Sequence, residues 1–474
     1  MSVIGEVPPF GRLVRAHRSR IGLTQRELAD FSTISVRAIR DLEQGKARRP
    51  RQETVRLIAD ALRLGHRART ALESAANRGR ASWELKAAYD ADPPLPPTAA
   101  SALIGRDPLS AALASGLASG TDRLVEVVGL SGVGKTRLAL EVAARLHADA
   151  EFPVLWHAIS DGAAEYRRPS GHEGLAAVVR ACAEELFGSA QPSPALVRLS
   201  RMRPDPHGEQ DCATFAELVG DQAALLVIDG VPDASEPRLA RIARLLHDCP
   251  QLRVLITAER PCGIPGGRLL ALDPLEVPGA RDKRDAEALG QVPAVRLFLD
   301  EARRVRPDFA PTTAAIEAVA EICRRLDGLP GALKAAASWL VVYDLETLRQ
   351  CLGGDPVGLL NHLAGTEGTV RIGEALDRRV DALPAASTTL LAALSATSGD
   401  FSLEDVAALT GLSLPDCGRM VHDLLMHGVV CPRAGGGRSR FRVLNLIRAA
   451  RLAAECRGDR AMAPPSAAIA SISR

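Results

Sequence analysis

Hydrophobic residues between Phe10 and Leu64 recur with the three- and four-residue spacing of amphipathic helices, and they predict four short helices. Thr24, followed by Glu27 three positions later, is typical of a capping box that begins the second helix. Ser35 is placed to cap the third helix in the same way. Two short helices joined by a tight turn predict a helix-turn-helix motif.

Predominantly apolar runs at residues 124–128, 224–229 and 253–257 predict strands that are buried on both faces of a parallel sheet. Helical periodicity resumes at residues 312–341, where a Gly-Leu-Pro sequence interrupts it. Residues 429–443 contain two short β-type runs around three consecutive glycines, which predicts a hairpin. An all-α N-terminal part is therefore expected to precede an α/β part and a mixed C-terminal part.

Charge is distributed unevenly, although the sequence of 474 residues carries a formal net charge of only +2. Residues 1–80 hold 17 Lys or Arg against 8 Asp or Glu, and a basic module favours contact with nucleic acid. The composition, 46% hydrophobic and 24% charged, excludes a mainly disordered or fibrous chain. No apolar run is long enough to span a membrane and no signal peptide is recognisable, so a cytoplasmic protein is expected.

The sequence GLSGVGKT at residues 129–136 follows the first predicted strand and opens a predicted helix, which is the context of a phosphate-binding P-loop. Its glycines let successive backbone N–H groups surround an anion, and the helix N-terminus adds its dipole. Lys135 is expected to bridge the β- and γ-phosphates, and Thr136 to hold Mg²⁺. The motif therefore predicts ATP or ADP and Mg²⁺ as cofactors.

A P-loop site requires a second metal ligand, an acid at the end of a buried strand. Asp229 ends the second apolar run and is the predicted Walker B carboxylate. Gly230 follows it, where strongly hydrolytic P-loop enzymes carry a glutamate that activates water, so slow hydrolysis and a switching role are expected. Arg260 follows the third predicted strand and is a candidate sensor of the γ-phosphate, because neighbouring strand ends converge on the ligand. Its alternative role is that of a surface arginine.

The N-terminal motif resembles the phage-repressor (Xre) class of helix-turn-helix domains through Gly-Leu-Thr-Gln at residues 22–25 and the pattern from Ser35 to Gly45. Thr33 replaces the usual small turn residue. The resemblance implies that the third helix lies in the DNA major groove. The implied DNA-binding residues are Thr24, Gln25, Ser35, Arg37 and Arg40, with Lys46, Arg48, Arg49 and Arg51 as backbone contacts. A bundle that binds only proteins is the alternative.

The rest of the chain is similar to the NB-ARC class of STAND ATPases, in the bacterial form that is fused to a DNA-binding domain. The matching segments, in order, are residues 105–107, 129–136, 225–229, 257–260, 272–275, 294–298 and 328–333. The resemblance implies an α/β P-loop NTPase domain with a parallel sheet, followed by an α-helical lid and a winged helix. It also implies that ADP is buried between sheet and lid, and that exchange for ATP permits oligomerisation.

The nucleotide-binding residues implied by the motif and the resemblance are Ile104, Gly105, Arg106, Gly129, Ser131, Gly132, Val133, Gly134, Lys135, Thr136, Arg137 and Pro330. Lys135, Asp229 and Arg260 are the candidate catalytic residues, and Thr136 and Asp229 the candidate Mg²⁺ ligands. The sequence departs from the family in having Gly331 where leucine is usual. It also has Leu444-Asn445 where plant relatives carry a His-Asp pair that holds the ADP state.

The predicted domains are a helix-turn-helix domain at residues 1–80, a Pro-rich linker at 81–100, a P-loop domain at 101–284, a helical lid at 285–368, a winged helix at 369–456 and a flexible tail at 457–474. No internal repeat with a period of 20–50 residues, typical of a sensor array, is found in the sequence. We therefore expect either a separate sensor protein or a shortened member of the family.

These features predict a cytoplasmic transcription regulator in which ADP or ATP controls homo-oligomerisation and binding to a double-stranded DNA operator. The chain would be at most a slow ATPase. Two alternatives stay open. One is a STAND-type stress or phage-defence ATPase that uses its N-terminal domain as an adaptor. The other is a DNA-binding regulator with an idle nucleotide domain.

Overall fold

The computed structural model describes residues 9–47, 50–91, 93–159, 166–167, 215–216, 218–231, 236–279, 285–362, 372–397, 399–433 and 439–452. The N-terminal helices belong to one compact unit, whereas the P-loop, the lid and the C-terminal helices belong to a second. Within the described ranges, no helix combines the length and the apolar character that a membrane crossing requires.

Within the described residues 9–91, the first unit contains five helices: α1 (Pro9–Arg20), α2 (Gln25–Ser32), α3 (Val36–Glu43), α4 (Gln52–Ala61) and α5 (His66–Ala91). They share a core that includes the fully buried side chains of Val14, Leu28 and Ile39. The predicted linker boundary at residue 80 is wrong, because α5 continues through residues 81–91. That segment is rich in helix-forming residues, and the first proline that stops the helix is Pro93.

Thr33 forms the turn between α2 and α3 in a left-handed backbone conformation, with φ +58°. Its backbone N–H closes α2 by donating to the carbonyl of Ala29. Glycine is the usual residue in this position, because the left-handed region costs other residues about 1–2 kcal/mol. The turn geometry of the motif is therefore retained at the cost of backbone strain.

The second unit is built on a five-stranded parallel sheet with strand order β3-β5-β6-β2-β7. Its strands are β2 (Leu124–Val128), β3 (Val154–Ala158), β5 (Ala224–Val231), β6 (Leu252–Ala258) and β7 (Arg268–Ala271). Helix α6 (Asp107–Ser119) precedes β2, α7 (Lys135–Ala150) joins β2 to β3, and α8 (Glu236–Asp248) joins β5 to β6. The short strands β1 (Thr98–Ala99) and β4 (Tyr166–Arg167) pair separately. Strand β6 therefore lies between the strand before the P-loop and the strand that carries Asp229.

Two further groups of helices follow the sheet. The lid contains α9 (Ala286–Gly290), α10 (Pro293–Val305), α11 (Thr313–Arg325), α12 (Pro330–Ser338) with a 3-10 turn (Trp339–Val341), α13 (Leu345–Gly354) and α14 (Pro356–His362). The C-terminal domain contains α15 (Ile372–Asp381), α16 (Ala385–Ala396), α17 (Leu403–Thr410), α18 (Leu414–Met426), strands β8 (Val430–Arg433) and β9 (Arg440–Val443), and a helix at residues 445–452. The two strands pair in antiparallel fashion, as the predicted hairpin requires. Sheet, lid and C-terminal domain share one continuous hydrophobic core.

The lid and the C-terminal domain meet at the carboxylate of Asp327, in the turn between α11 and α12. Leu446 donates its backbone N–H to Oδ2 of Asp327 at 2.9 Å, and the side-chain amide of Asn445 donates to the carbonyl of Arg324 at 2.9 Å. Burial raises the pKa of Asp327 to about 7, although N–H groups of the last helix and nearby arginines lower it. The segment that departs from the plant His-Asp pattern thus holds the C-terminal domain to the lid.

We expect Asp327→Asn to remove a pH dependence of the stability of this junction. The pKa of Asp327 is about 7 in the folded chain and 3.8 ordinarily, so the unfolded chain releases this proton at a lower pH than the folded chain does. The contribution of Asp327 to the free energy of unfolding should therefore fall by at most about 4 kcal/mol between about pH 4 and pH 7. Above pH 7 it should remain level.

The measurement is the midpoint of thermal unfolding from about pH 5 to pH 8. Relative to the unmodified chain, the Asp327→Asn midpoint should rise as the pH approaches 7 and then remain constant. Asp381→Asn, at an exposed carboxylate, is the control and should show no such trend. If the unfolding midpoints of Asp327→Asn and the unmodified chain differ by the same amount at every pH, this account is contradicted.

We expect Thr33→Gly to stabilise the helix-turn-helix turn, because glycine adopts the left-handed conformation without a steric penalty. The expected gain is up to about 1 kcal/mol, after the larger backbone entropy of glycine in the unfolded chain is subtracted. Hydrogen exchange of amides 25–44 in the full chain measures this gain, because a more stable turn opens less often and its amides exchange more slowly. Thr54→Gly, within the regular helix α4, is the matched control and should have the opposite sign. Faster exchange in both variants would show that Thr33 is not strained.

Candidate nucleotide-binding and DNA-binding sites

The loop between β2 and α7 has the left-handed glycine conformations that a phosphate loop needs. Gly129, Gly132 and Gly134 have φ values of +154°, +77° and +97°. A Cβ atom at Gly129 would lie 2.9 Å from the carbonyl oxygen of Leu272, so the loop also passes too close to the segment around Leu272 to carry a side chain. The predicted P-loop is therefore a compact turn that leads directly into a helix N-terminus.

The ammonium group of Lys135 folds back over the start of this loop. Its Nζ donates to the carbonyl oxygens of Gly129 and Leu130, each at 2.9 Å. These two hydrogen bonds place a positive charge beside the backbone that would surround an anion. Ser131 lies half-buried in the same loop, whereas Val133 packs its side chain into the hydrophobic core.

Thr136 and Asp229 lie 93 residues apart in the sequence, and the structure brings them into contact. The hydroxyl of Thr136 donates to Oδ1 of Asp229 at 2.8 Å, and the hydroxyl of Thr257 donates to the same oxygen at 2.5 Å. The backbone N–H of Gly230 in turn donates to Oγ1 of Thr257 at 2.9 Å. Thr257, near the end of β6, thus orients the carboxylate. It belongs to the matching segment 257–260 but was not among the predicted site residues.

This pair of oxygen ligands fits a hard cation such as Mg²⁺, which prefers hydroxyl and carboxylate oxygens. Within the ranges that the structure describes, no three His, Cys, Asp or Glu side chains form a metal-holding group. A Mg²⁺ ion held by Thr136 and Asp229 would therefore complete its ligands with phosphate oxygens and water, as this ion commonly does.

The segment before the first sheet helix also lies against the P-loop. A Cβ atom at Gly105 would overlap Pro293 of the lid at 2.5 Å, which explains the glycine. Arg106 is 7% exposed and donates Nη2 to the carbonyl of Asp273 at 2.8 Å. Burial lowers the pKa of Arg106 to about 10. Its Nη1 has no hydrogen-bond partner among the described residues, and it lies 3.6 Å from where a Cβ of Gly134 would be.

Such a buried guanidinium nitrogen needs an acceptor, because an unpaired buried donor costs about 1–3 kcal/mol. An anionic ligand in the P-loop would supply one. Ile104, beside it, is half-buried against the hydrophobic core. The side chain of Arg137 donates Nε to the carbonyl of Ser101 at 2.8 Å and Nη2 to Glu141 at 3.3 Å, and a contact between Arg137 and the nucleotide stays a prediction.

Pro330 is the first residue of α12, and the residue after it bonds directly to the P-loop. Gly331 donates its backbone N–H to the carbonyl of Gly132 at 2.8 Å. A Cβ atom at Gly331 would lie 3.0 Å from Cα of Gly132. The glycine that departs from the family pattern therefore lets the lid touch the phosphate loop backbone to backbone.

Arg260 lies half-buried after β6, and its role as a sensor of the γ-phosphate stays a prediction. A second arginine, Arg379 of α15, reaches the loop from the C-terminal domain and donates to the carbonyl of Gly129 at 2.7 Å. No sequence motif marks Arg379, and only the fold brings it across 250 residues to the P-loop.

The helix-turn-helix unit presents a basic surface on α3. Arg37 and Arg40 are exposed, and Arg37 forms only a 3.9 Å ion pair with Asp41. The hydroxyls of Thr24 and Ser35 cap α2 and α3 by accepting the N–H groups of the third residue after them, as predicted.

Gln25 is half-buried, and its Nε2 donates to the carboxylate of Glu43 at 2.8 Å. The same carboxylate accepts from Nε of Arg18 at 2.6 Å, so Glu43 ties α1, α2 and α3 together. Lys46 and Arg51 are exposed at either end of the following loop. Arg48 and Arg49 lie outside the described residues.

Comparison with known proteins agrees with the N-terminal assignment, since residues 9–72 match the model of a helix-turn-helix domain family. A protein of Mycobacterium tuberculosis that carries the name HTH-type transcriptional regulator Rv0890c is 29% identical over 345 residues, which are 71% of this chain and 34% of the relative. The chain thus spans about a third of the length of that relative. The uncharacterized protein Rv0894 of the same organism is 31% identical over 217 residues, 46% of this chain and 45% of the relative.

Among solved structures, the chain is similar to a Signal Transduction ATPase with Numerous Domains (STAND) protein with a tetratricopeptide repeat sensor from Pyrococcus horikoshii. The match has 15% identity and a TM-score of 0.29, and it covers 74% of this chain and 43% of that one. At so low a TM-score the fold assignment depends on the sheet and the loop themselves. The chain is a multidomain protein in which a helix-turn-helix domain at residues 9–72 precedes a domain that carries the P-loop on a five-stranded parallel sheet.

Proposed function

We propose that this chain is a cytosolic transcription regulator whose binding to DNA is switched by ADP and ATP. The observation that carries the proposal is the contact between Thr136 and Asp229 at 2.8 Å, in a chain that also carries a helix-turn-helix domain. A P-loop lysine, a hydroxyl and a strand-end carboxylate are the groups that hold a nucleotide with Mg²⁺. The name of the mycobacterial relative supports the regulatory half of the proposal.

The nucleotide phosphates would lie against the N–H groups of residues 129–136, with Lys135 beside them. Arg106 would donate its remaining N–H groups from the opposite side. Bound Mg²⁺ would neutralise charge on the phosphates, and Thr136 and Asp229 would orient it. The side chains of Arg106 and Asp229 are buried and those of Lys135 and Thr136 half-buried, so their electrostatic attraction to the nucleotide and its metal ion is only weakly screened by water.

Contacts from the lid and the C-terminal domain supply the element that the nucleotide would switch. Gly331 of the lid bonds to Gly132, and a Cβ at Gly428 of the C-terminal domain would lie 3.1 Å from Leu130. A nucleotide that changes the loop must therefore change contacts to both domains. Because one helix-turn-helix covers one half-site, an opened chain that assembles with a second copy would bind DNA more tightly.

Gly230 favours switching over rapid turnover. The position after the Walker B aspartate has no side chain, and its backbone N–H is bonded to Thr257. No carboxylate at that position can activate water, so the ATP state should persist. A turnover well below the ordinary enzyme range of about 1–10³ s⁻¹ is expected.

We expect the purified chain to bind about one ADP or ATP per molecule in the presence of Mg²⁺. Lys135→Ala should lose it, because the loop then lacks its cation, whereas Lys334→Ala, an exposed lysine of α12, should retain it. Chromatography of the nucleotide released by denaturation measures both. With nucleotide bound, ATP should increase the sedimentation coefficient and the affinity for operator DNA relative to ADP.

Identical sedimentation and DNA binding in ADP and ATP would contradict the switch. A chain that takes up neither nucleotide would favour the alternative of a DNA-binding regulator with an idle nucleotide domain. Specific retention of nucleotide without any preference among DNA sequences would favour the adaptor alternative.

We expect Arg40→Ala to weaken binding to a selected operator by about 1–3 kcal/mol if the guanidinium reads a base in the major groove. Arg51→Ala should weaken binding to all DNA sequences equally and lower the salt dependence by about one phosphate contact. Arg303→Ala, which removes the same charge from an exposed position on the lid, is the control. Fluorescence anisotropy on selected and random duplexes at several salt concentrations distinguishes these outcomes. Equal effects of all three variants would rule out α3 as the reading helix.

A further inference from the structure

Arg379 is a buried arginine of the C-terminal domain that lies on the phosphate loop. It belongs to α15 and is 3% exposed. Its Nη2 donates to the carbonyl oxygen of Gly129 at 2.7 Å and also to the carbonyl oxygen of Glu259. A single guanidinium group therefore connects two backbone segments of the P-loop domain to a helix of another domain.

The two carbonyl groups stand at the ends of neighbouring strands. Gly129 follows β2, Glu259 follows β6, and these strands pair in parallel register from Leu124 with Val254 to Val128 with Ala258. Glu259 is also two residues after Thr257, which orients Asp229. Arg379 thus bridges the start of the P-loop and the strand end that supports the metal carboxylate.

Lys135 and Arg379 donate to the same oxygen atom. Nζ of Lys135 lies 2.9 Å from the carbonyl oxygen of Gly129, and Nη2 of Arg379 lies 2.7 Å from it. Two like charges around one carbonyl repel each other, and a bound anion beside them would offset that repulsion. The arrangement therefore favours an occupied loop when the C-terminal domain is seated.

Further basic side chains surround this point. Burial lowers the pKa of His427, at the end of α18, and the charges of Arg379 and Arg260 lower it further. His427 also bonds through Nδ1 to the carbonyl of Asp423 at 2.8 Å. The next residue, Gly428, packs on Leu130 of the loop. Basic groups from the C-terminal domain and from the strand end after β6 therefore lie close to one another beside the loop.

We propose that Arg379 is a positioning residue for the phosphate loop. It fixes the carbonyl of Gly129, and through it the ammonium of Lys135, only while the C-terminal domain is seated on the P-loop domain. When α15 leaves the P-loop domain, it releases the loop and the strand end together, so the affinity for a nucleoside di- or triphosphate falls. The ligand in this proposal rests on the proposed nucleotide function. The role of Arg379 in fixing the loop does not depend on that function.

The test compares Arg379→Met and Arg379→Gln with Arg378→Met, a matched control at the exposed arginine one position earlier. Hydrogen exchange of the full chain without nucleotide reports on the loop itself. Exchange at residues 129–136 and 257–260 should be at least about 10-fold faster in both Arg379 variants and within about 2-fold of normal in the control. Peptides from α17 and α18 should be unaffected, because they report only on whether the C-terminal domain is folded.

The dissociation rate of fluorescent ADP with Mg²⁺ should rise by about 10-fold or more in the Arg379 variants. Arg379→Lys, which keeps the charge but has a single donor group, should restore part of the retention. If Arg379→Met unfolds the C-terminal domain, Arg379→Gln and Arg379→Lys decide the question. Loop exchange that equals the Arg378→Met value in folded Arg379 variants would overturn the proposal. Failure of the unmodified chain to bind ADP would instead overturn the nucleotide function. Hydrogen exchange of the loop would then still show whether Arg379 fixes its conformation.

Discussion

A loop that gathers its N–H groups around an anion must direct its carbonyl oxygens outward, and each buried oxygen needs a donor. In this chain the donors come from three different parts of the sequence. Lys135 and Arg379 serve Gly129, and the lid amide of Gly331 serves Gly132. The conformation of the phosphate loop therefore depends on two domains that contribute nothing to the motif itself.

The features that the sequence predicted well are those determined within a few residues. The P-loop, the strand that carries Asp229, the capping box at Thr24 and the hairpin of the C-terminal domain all have local signals in spacing and residue type. Their contact in space follows from parallel strand order, which places the ends of neighbouring strands at one edge of the sheet. For this reason the meeting of Thr136 and Asp229 could be expected, although they are 93 residues apart.

The features that escaped prediction depend on contacts between distant segments. Arg379 has no neighbouring pattern that distinguishes it from the exposed Arg378, and only the seating of α15 buries it. Asp327 lies in the turn between α11 and α12, yet its partner is the N-terminus of a helix 119 residues later. The linker was predicted to begin at residue 81, but α5 continues to Ala91. Residues 81–91 contain no proline or glycine that would end a helix, and the prolines begin only after them.

The backbone contact between Gly331 and Gly132 has a consequence for how the lid can move. Side chains between two surfaces can change rotamer and let the surfaces slide by small steps, but here no side chain intervenes. One hydrogen bond and one van der Waals contact are either both made or both lost. At this point of contact a ligand that displaces the loop should therefore break the lid contact abruptly, even within a single molecule, before any assembly adds cooperativity.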